Sequence, residues 1–424
     1  VSKGTKIISV TARQVYTERG HPGIEAKVTT ENGAAGVAVC TAGVSIGEHE
    51  IPFKYDGGPK FRGKGVTGAV AIVNEVIAPA LRGLDSSRQL DIDHALLNLG
   101  GPDAKARLGG NATAAVSAAA LKAGAASLGQ PLYQHIGGVN ACIMPVPGVL
   151  SVVGNRRYGG LPGNTNKPSY SFYCYGFGTY SEASYAAWEC SYEFTGMMRK
   201  RFGLEPAQDG RVYIPAGLVK HERELWDIKM EVVSKLGYEG RVGFQVDMGA
   251  TTYYDAAKGC YTGLLSAGEK TEEEMGALYD EMVHKYAFVI IEDPLHEDDY
   301  EGHAKLTKRL GIQIVGDDLF TTTTQRVEKG ATIGAANCVL LKVNQIGTIS
   351  EAFDMVQFAY RNGYGVMPCS SRGEGSDIAD YTVGLSCGHL REGAIGETGN
   401  RLSEIEAELG PRAKFLGRKG FKGG

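Results

Sequence analysis

Short apolar runs that end on a charged residue recur through the second half of the chain, at 242–247, 288–293, 312–318 and 338–342. Runs of this length, apolar at nearly every position, suit strands covered on both faces. Each is followed by an amphipathic pattern of helical period, so from about residue 240 the chain reads as successive strand–helix units of a parallel sheet. The charged residues fall at the C-terminal ends of the runs, which is where a β/α barrel builds its site. Glu292 and Asp317 are 25 residues apart, and so are Asp317 and Lys342. That is the length of one strand, one helix and a return loop, so successive strands deliver these side chains to one mouth. Asp247 precedes Glu292 by 45 residues, which one unit absorbs if 252–263 forms an inserted hairpin around Lys258-Gly259.

The first third has a different grammar. Residues 7–16 alternate as a strand, and after Gly20-His21-Pro22-Gly23 the run 24–28 suits a hairpin partner. Residues 66–81 and 112–128 carry helical spacing, the second rich in alanine. Sheet first and helices after predicts an α+β domain over residues 1–140. The phrase Met144-Pro145-Val146-Pro147 marks the boundary to a β/α barrel over 141–424. Between them and the regular units, 154–178 is rich in glycine, asparagine and tyrosine and long for a loop.

A chain of 424 residues is the right size for a barrel with a smaller companion. With 43% hydrophobic and 22% charged residues the composition is globular. A net charge of −4 leaves no basic field to hold a nucleic-acid backbone. No stretch approaches about 18 uninterrupted apolar residues, and Val1-Ser2-Lys3-Gly4 lacks a secretory core, so the expectation is a cytoplasmic protein with no membrane contact. Eight scattered cysteines form no C-x-x-C pair and read as small buried hydrophobes.

Three carboxylates converging on one point repel, and a hard divalent cation relieves that repulsion. Asp247, Glu292 and Asp317 offer oxygen only, a donor set that favours Mg²⁺ over zinc. The competing reading makes each acid a helix cap or the partner of a surface lysine. Lys342 closes a buried run, where a desolvated lysine is a usable general base near neutral pH. Abstraction of a proton α to a carboxylate needs this pairing of cation and base. Alternatively, Lys342 merely neutralises the acids.

The strings Ile291-Glu292-Asp293-Pro294, Val315-Gly316-Asp317-Asp318-Leu319 and Leu341-Lys342-Val343-Asn344-Gln345-Ile346-Gly347 resemble the metal and base strands of the enolase family. Earlier strings agree with it, among them Ser45-Ile46-Gly47-Glu48-His49-Glu50, Leu108-Gly109-Gly110-Asn111-Ala112 and Pro131-Leu132-Tyr133-Gln134-His135. The resemblance covers nearly the whole chain. It implies an enolase-type barrel behind an N-terminal capping domain, Mg²⁺ on Asp247, Glu292 and Asp317, Lys342 as base, and a homodimer or higher homo-oligomer. It also implies that Ser45 rides on a loop closing over a small anionic substrate and a second Mg²⁺. Lysine with magnesium is the established pattern of that superfamily.

The match fails where the family holds its acids. Val212-Tyr213-Ile214-Pro215-Ala216-Gly217 stands where the family has Gly-Asp-Glu-Gly-Gly, and Ser171 stands where it has a second glutamate. A family histidine falls near Arg157, and another falls at Ser370 of Cys369-Ser370-Ser371-Arg372. Arg372 survives as a fork for a phosphate or phosphonate, and Arg391 replaces the family's carboxylate-binding lysine. Ser45, Arg157, Ser370, Arg372 and Arg391 are the substrate-binding candidates. Tyr170, Tyr173 and Tyr175, with Arg156, Arg157 and Tyr158, are candidates for holding a second anion, packing being the plainer role for the tyrosines. These replacements favour an enzyme that stabilises an enolate of a phospho- or phosphono-carboxylate but has left ordinary dehydration, as in carboxyphosphonoenolpyruvate synthase of phosphonate biosynthesis. The alternatives are a true enolase with its acid moved to His221, Glu222 or Glu224, and a catalytically silent binding protein.

Overall fold

The computed structural model describes residues 4–17, 20–42, 46–153, 168–207, 210–215, 217–370 and 372–423. The chain begins with three antiparallel strands, β1 (Ile7–Tyr16), β2 (Pro22–Thr30) and β3 (Ala35–Cys40), in the order β1-β2-β3. The predicted hairpin is present, and β3 is an addition that the periodicity missed. Alternation puts Ile24, Ala26 and Val28 of β2 on one face, where they are fully buried. The helix Gly110–Ser127 lies against that face. Its alanines let helix and sheet approach closely, and the closest approach is at Gly36 of β3. A Cβ there would stand 2.1 Å from the carbonyl oxygen of Ala119, so only glycine fits. The predicted helix at 66–81 is also formed, with a π-helical segment, Val73–Ile77, interrupting it.

The rest of the chain curls one sheet into a barrel. Its strands are β5 (Val146–Val153), β6 (Ser169–Cys174), β7 (Val212–Tyr213), β8 (Val242–Asp247), β11 (Phe288–Glu292), β12 (Gln313–Gly316), β13 (Cys338–Leu341), β14 (Gly365–Pro368) and β15 (His389–Leu390). Two small pairs lie outside it: β4 (Ile143–Met144) with β16 (Lys414–Phe415), and β9 (Tyr254–Asp255) with β10 (Cys260–Tyr261). The second of these is the hairpin expected between Asp247 and Glu292. The strand order is β14-β13-β12-β11-β8-β6-β5-β15, with β7 beside β5. Closure comes where β15 returns to β14, the Arg391 N–H donating to the Pro368 carbonyl at 3.1 Å. All neighbours from β8 to β14 run parallel, but β6 runs antiparallel to both β5 and β8.

Period-2 alternation then sorts side chains into layers inside the barrel. Phe421 lies at the floor among Cys338, His389 and Gln313, whose side-chain nitrogen is 2.8 Å from His389 Nε2. Above it sit Val146, Tyr173, Ile290, Val315, Leu340 and Met367. The next inward positions toward the strand ends are polar: Asp247, Glu292, Asp317, Lys342 and Arg391, each at most 3% exposed. The outward positions, such as Phe172, Phe244 and Phe288, join the larger core between sheet and helices, stacked edge to face.

Of the two roles open to Tyr170 and Tyr173, the structure shows packing. Both are fully buried packing residues, Tyr170 edge-on to Phe288 and Tyr173 edge-on to Phe421, and neither opens a second anion site. Tyr175, half-buried, also packs on Phe421. All eight cysteines are free, and all but half-buried Cys142 are buried, as the sequence suggested. No helix among the described residues is long and apolar enough to cross a membrane.

Candidate active site

The barrel register sets Asp247 of β8 opposite Glu292 of β11. Asp317 follows β12 by one residue and Lys342 follows β13 by one, so the four stand along one wall at the same height. Lys342 Nζ donates to Asp317 Oδ2, both groups almost fully buried. Gln345 Nε2 donates to the other oxygen of Asp317 at 2.8 Å, and Gln245 Nε2 donates to Glu292 Oε2 at 2.7 Å. From the opposite side Arg391 donates to Asp247 Oδ2, and its Nε lies 3.0 Å from Glu292 Oε2. Two buried cations thus balance the carboxylates, as burial of charge requires.

Asp293, which pattern alone gave no role, holds this wall together. Its φ is +42°, a left-handed conformation that Asp tolerates better than most residues. That turn points the carboxylate across to the next strand end, where it accepts the backbone N–H groups of Asp317 and Asp318, each at 2.9 Å. Burial, then Asp318, Asp317 and Glu292, pushes its carboxyl well above the usual range. The signal was the string Glu292-Asp293-Pro294 itself, where proline holds the preceding residue out of the right-handed helical region.

Oxygens of Glu292, Asp293 and Asp317 lie within 4.8 Å of one another, all buried. Glu292 Oε1 accepts no hydrogen bond. An oxygen-only donor set with an orphaned buried carboxylate oxygen fits a hard divalent cation. Asp247 stands beside this group in the register but outside it, tied to Arg391. The expected trio and the observed one therefore share Glu292 and Asp317.

Arg372 meets the cap instead of open space. Its two terminal nitrogens both donate to Glu50, with both side chains buried. Its carbonyl accepts the Thr41 N–H at 3.0 Å and Asn344 Nδ2 at 3.3 Å. The fork expected to take a phosphate is thus held by a cap carboxylate in this structure, a partner that the sequence string around Glu50 contained but did not assign. Glu374, half-buried next to it, is raised above the ordinary carboxylate range by desolvation. Ser370 is half-buried on the loop after β14. Ser45 and Arg157, with Arg156 and Tyr158, lie outside the described residues.

The acids offered as replacements are occupied elsewhere. His221 and Glu224 form the capping box of the helix Glu222–Lys235, with Glu224 accepting the His221 N–H at 3.0 Å. Glu222 is fully buried and accepts the Ser266 N–H at 3.1 Å. Ser171, in contrast, points into the barrel, paired in register with Gln245.

A capped β/α barrel whose strand ends gather an acidic cluster and a buried lysine defines a class of enzymes that work on small anions. The chain belongs to the enolase family. Residues 7–136 match the family model described as "Enolase, N-terminal domain", and 142–423 match "Enolase, C-terminal TIM barrel domain". Among similar proteins, the enolase of Methanopyrus kandleri is 38% identical over 98% of this chain and 99% of its own. That of Methanocaldococcus jannaschii is 40% identical over 97% of each, and that of Thermococcus kodakarensis 38% over 98% and 97%.

Proposed function

We propose that the chain removes the α-proton of a small phosphorylated carboxylate at Lys342, and that its reaction is the one its relatives are named for, the interconversion of 2-phosphoglycerate and phosphoenolpyruvate. The observation carrying this reading is the buried set of Asp247, Glu292, Asp317 and Lys342 on one wall, together with end-to-end likeness to enolases. Mg²⁺ held by Glu292 and Asp317, with Asp247 adjacent, would supply positive charge to an enolate developing on the substrate carboxylate. Lys342 and Arg391 supply that charge to the carboxylates in this structure. Lys342 takes the proton at Nζ, Arg391 orients the substrate carboxylate, and Arg372 and Ser370 border the site beneath the cap. Ser45, on a loop closing over the substrate, and Arg157 stay candidates for binding it. Two units meeting near residue 141 and a cytoplasmic location, which suits eight free thiols, complete the reading.

A second reading rests on one specific observation. The inward position that would carry the family's second acid is Ser171, and the acids offered to replace the missing ones are bound up in a helix cap and a loop. On that reading the enolate forms but is used for another step, as in the joining of a phosphonoformate unit to an enolpyruvate unit. The test is 2-phosphoglycerate with Mg²⁺ in D₂O, followed for phosphoenolpyruvate and for α-deuterium. Turnover to phosphoenolpyruvate establishes the first reading. Deuterium exchange without dehydration establishes the second, and neither signal, with Mg²⁺ still binding, leaves a silent binding protein.

A further inference from the structure

Gln245 sits on the inner face of β8, two residues before Asp247, and is 1% exposed. Its register neighbour on β11 is Ile290, so the amide stands where the inner layer of the barrel is otherwise apolar. One end of the amide is committed, Nε2 donating to Glu292 Oε2 at 2.7 Å. The other end is not: Oε1 has no hydrogen-bond partner among the described residues. Exchanging the two ends does not repair this. Glu292 Oε2 also lies 3.0 Å from Arg391 Nε, so it acts as an acceptor and requires the NH₂ end of the amide. Gln245 thus presents a fixed acceptor, buried and without a donor, an arrangement that costs free energy until a donor arrives. A second such atom stands on the adjacent strand. Ser169 Oγ of β6, 2% exposed, also lacks a partner, and β6 runs beside β8 with Ser169 opposite Asp247 and Ser171 opposite Gln245.

We infer that Gln245 selects a substrate bearing a hydroxyl group, its Oε1 accepting the proton of that hydroxyl with Ser169 alongside. The inference rests on the 2-phosphoglycerate reading given above. Arg391 and the amide share one oxygen of Glu292, so a carboxylate oriented by Arg391 lies next to Gln245. With its carboxylate and phosphate ionised, 2-phosphoglycerate brings acceptors at both, and its hydroxymethyl group is the one donor it carries. An orphaned acceptor and a lone donor are complementary. Phosphoenolpyruvate has no hydroxyl, so Gln245 favours the hydroxyl-bearing side of the reaction. An amide oxygen has no proton to give, so Gln245 holds the hydroxyl and is not the missing acid. The same logic sets specificity, because a site built around a hydroxyl leaves its own polar atom unpaired when the ligand lacks one.

The test is calorimetric titration, with Mg²⁺ present, of 2-phosphoglycerate and of 2-phospholactate, which carries a methyl group in place of the hydroxymethyl. Lys342→Ala is the background, so that neither ligand loses its α-proton during the titration. Gln245→Met, of nearly the same length, is added to it, and circular dichroism melting checks both folds. With Gln245 in place, 2-phosphoglycerate should bind roughly tenfold tighter than 2-phospholactate, and with Gln245→Met the two should bind alike. The unaltered chain gives the same comparison without a substitution: in D₂O, KM for 2-phosphoglycerate should lie below the inhibition constant of 2-phospholactate by a similar factor. No preference in the unaltered chain overturns the inference and leaves the reading of the site standing. An equal weakening of both ligands by Gln245→Met does the same, since the amide is then only a brace for Glu292. Binding of neither ligand to the unaltered chain, with Mg²⁺ held, defeats the reading itself and the inference with it.

Discussion

The two walls of the barrel mouth are built differently. One wall, from β8 through β13, is all parallel, and each strand ends with Asp247, Glu292, Asp317 or Lys342 facing inward. The facing wall contains β6, which runs the other way, so the part of it at the mouth is its beginning, Ser169 and Ser171. The difference shows that a strand contributes to a site by its direction as well as by its composition. On the parallel wall, chemistry sits where an apolar run stops. On the antiparallel strand it sits where the run starts.

The largest expected effect breaks the parallel wall at its base. Lys342→Ala should lower α-proton exchange by at least ~10²–10⁴-fold, measured as deuterium incorporation. Arg391→Lys, on the facing wall, should leave exchange within about tenfold and raise KM instead, since it keeps a charge and loses a fork. Equal losses of exchange would erase the distinction between the walls. Asp317→Asn comes next. Wild type should gain about 2.7 kcal/mol at Mg²⁺ a hundredfold above its Kd, and the variant should lose most of the accompanying rise in Tm. An unchanged rise would remove Asp317 as a ligand.

Acid sensitivity sharpens the comparison on the barrel floor. Burial depresses His389 of the floor to about 4, and likewise His303 on the helix Tyr300–Leu310. Their folded values lie below the unfolded one near 6.5, so the stability they contribute is complete above 6.5 and is lost as pH falls toward 4. Each accounts for up to ~3 kcal/mol of that loss. Melting temperature against pH should fall across this window and flatten with His303→Asn or His389→Asn. The smallest effect belongs to Ser171→Ala, which should change stability by less than ~1 kcal/mol.

These walls also explain what the sequence could and could not yield. Asp247, Glu292, Asp317 and Lys342 were legible because each closes an apolar run and the last three repeat at a fixed interval of 25 residues. Helix Gly110–Ser127 and the first hairpin were legible from period. Strand β6 was hidden, because its antiparallel course follows no strand–helix repeat and its serines look like any polar alternation. Asp293 escaped because its role is set by one backbone dihedral. Glu50 escaped because its partner Arg372 lies 322 residues away, beyond any spacing argument.

That separation has a consequence in folding time. The Glu50–Arg372 pair joins residues 322 apart, so the expectation is that it forms late, after cap and barrel have each taken shape. Its loss should appear in how fast the finished molecule comes apart and leave the rate at which it is made unchanged. With Glu50→Gln, the unfolding limb of a denaturant chevron should rise while the refolding limb stays in place. On that outcome the clamp over the site acts as a latch on the native state, slowing its loss without hastening its formation.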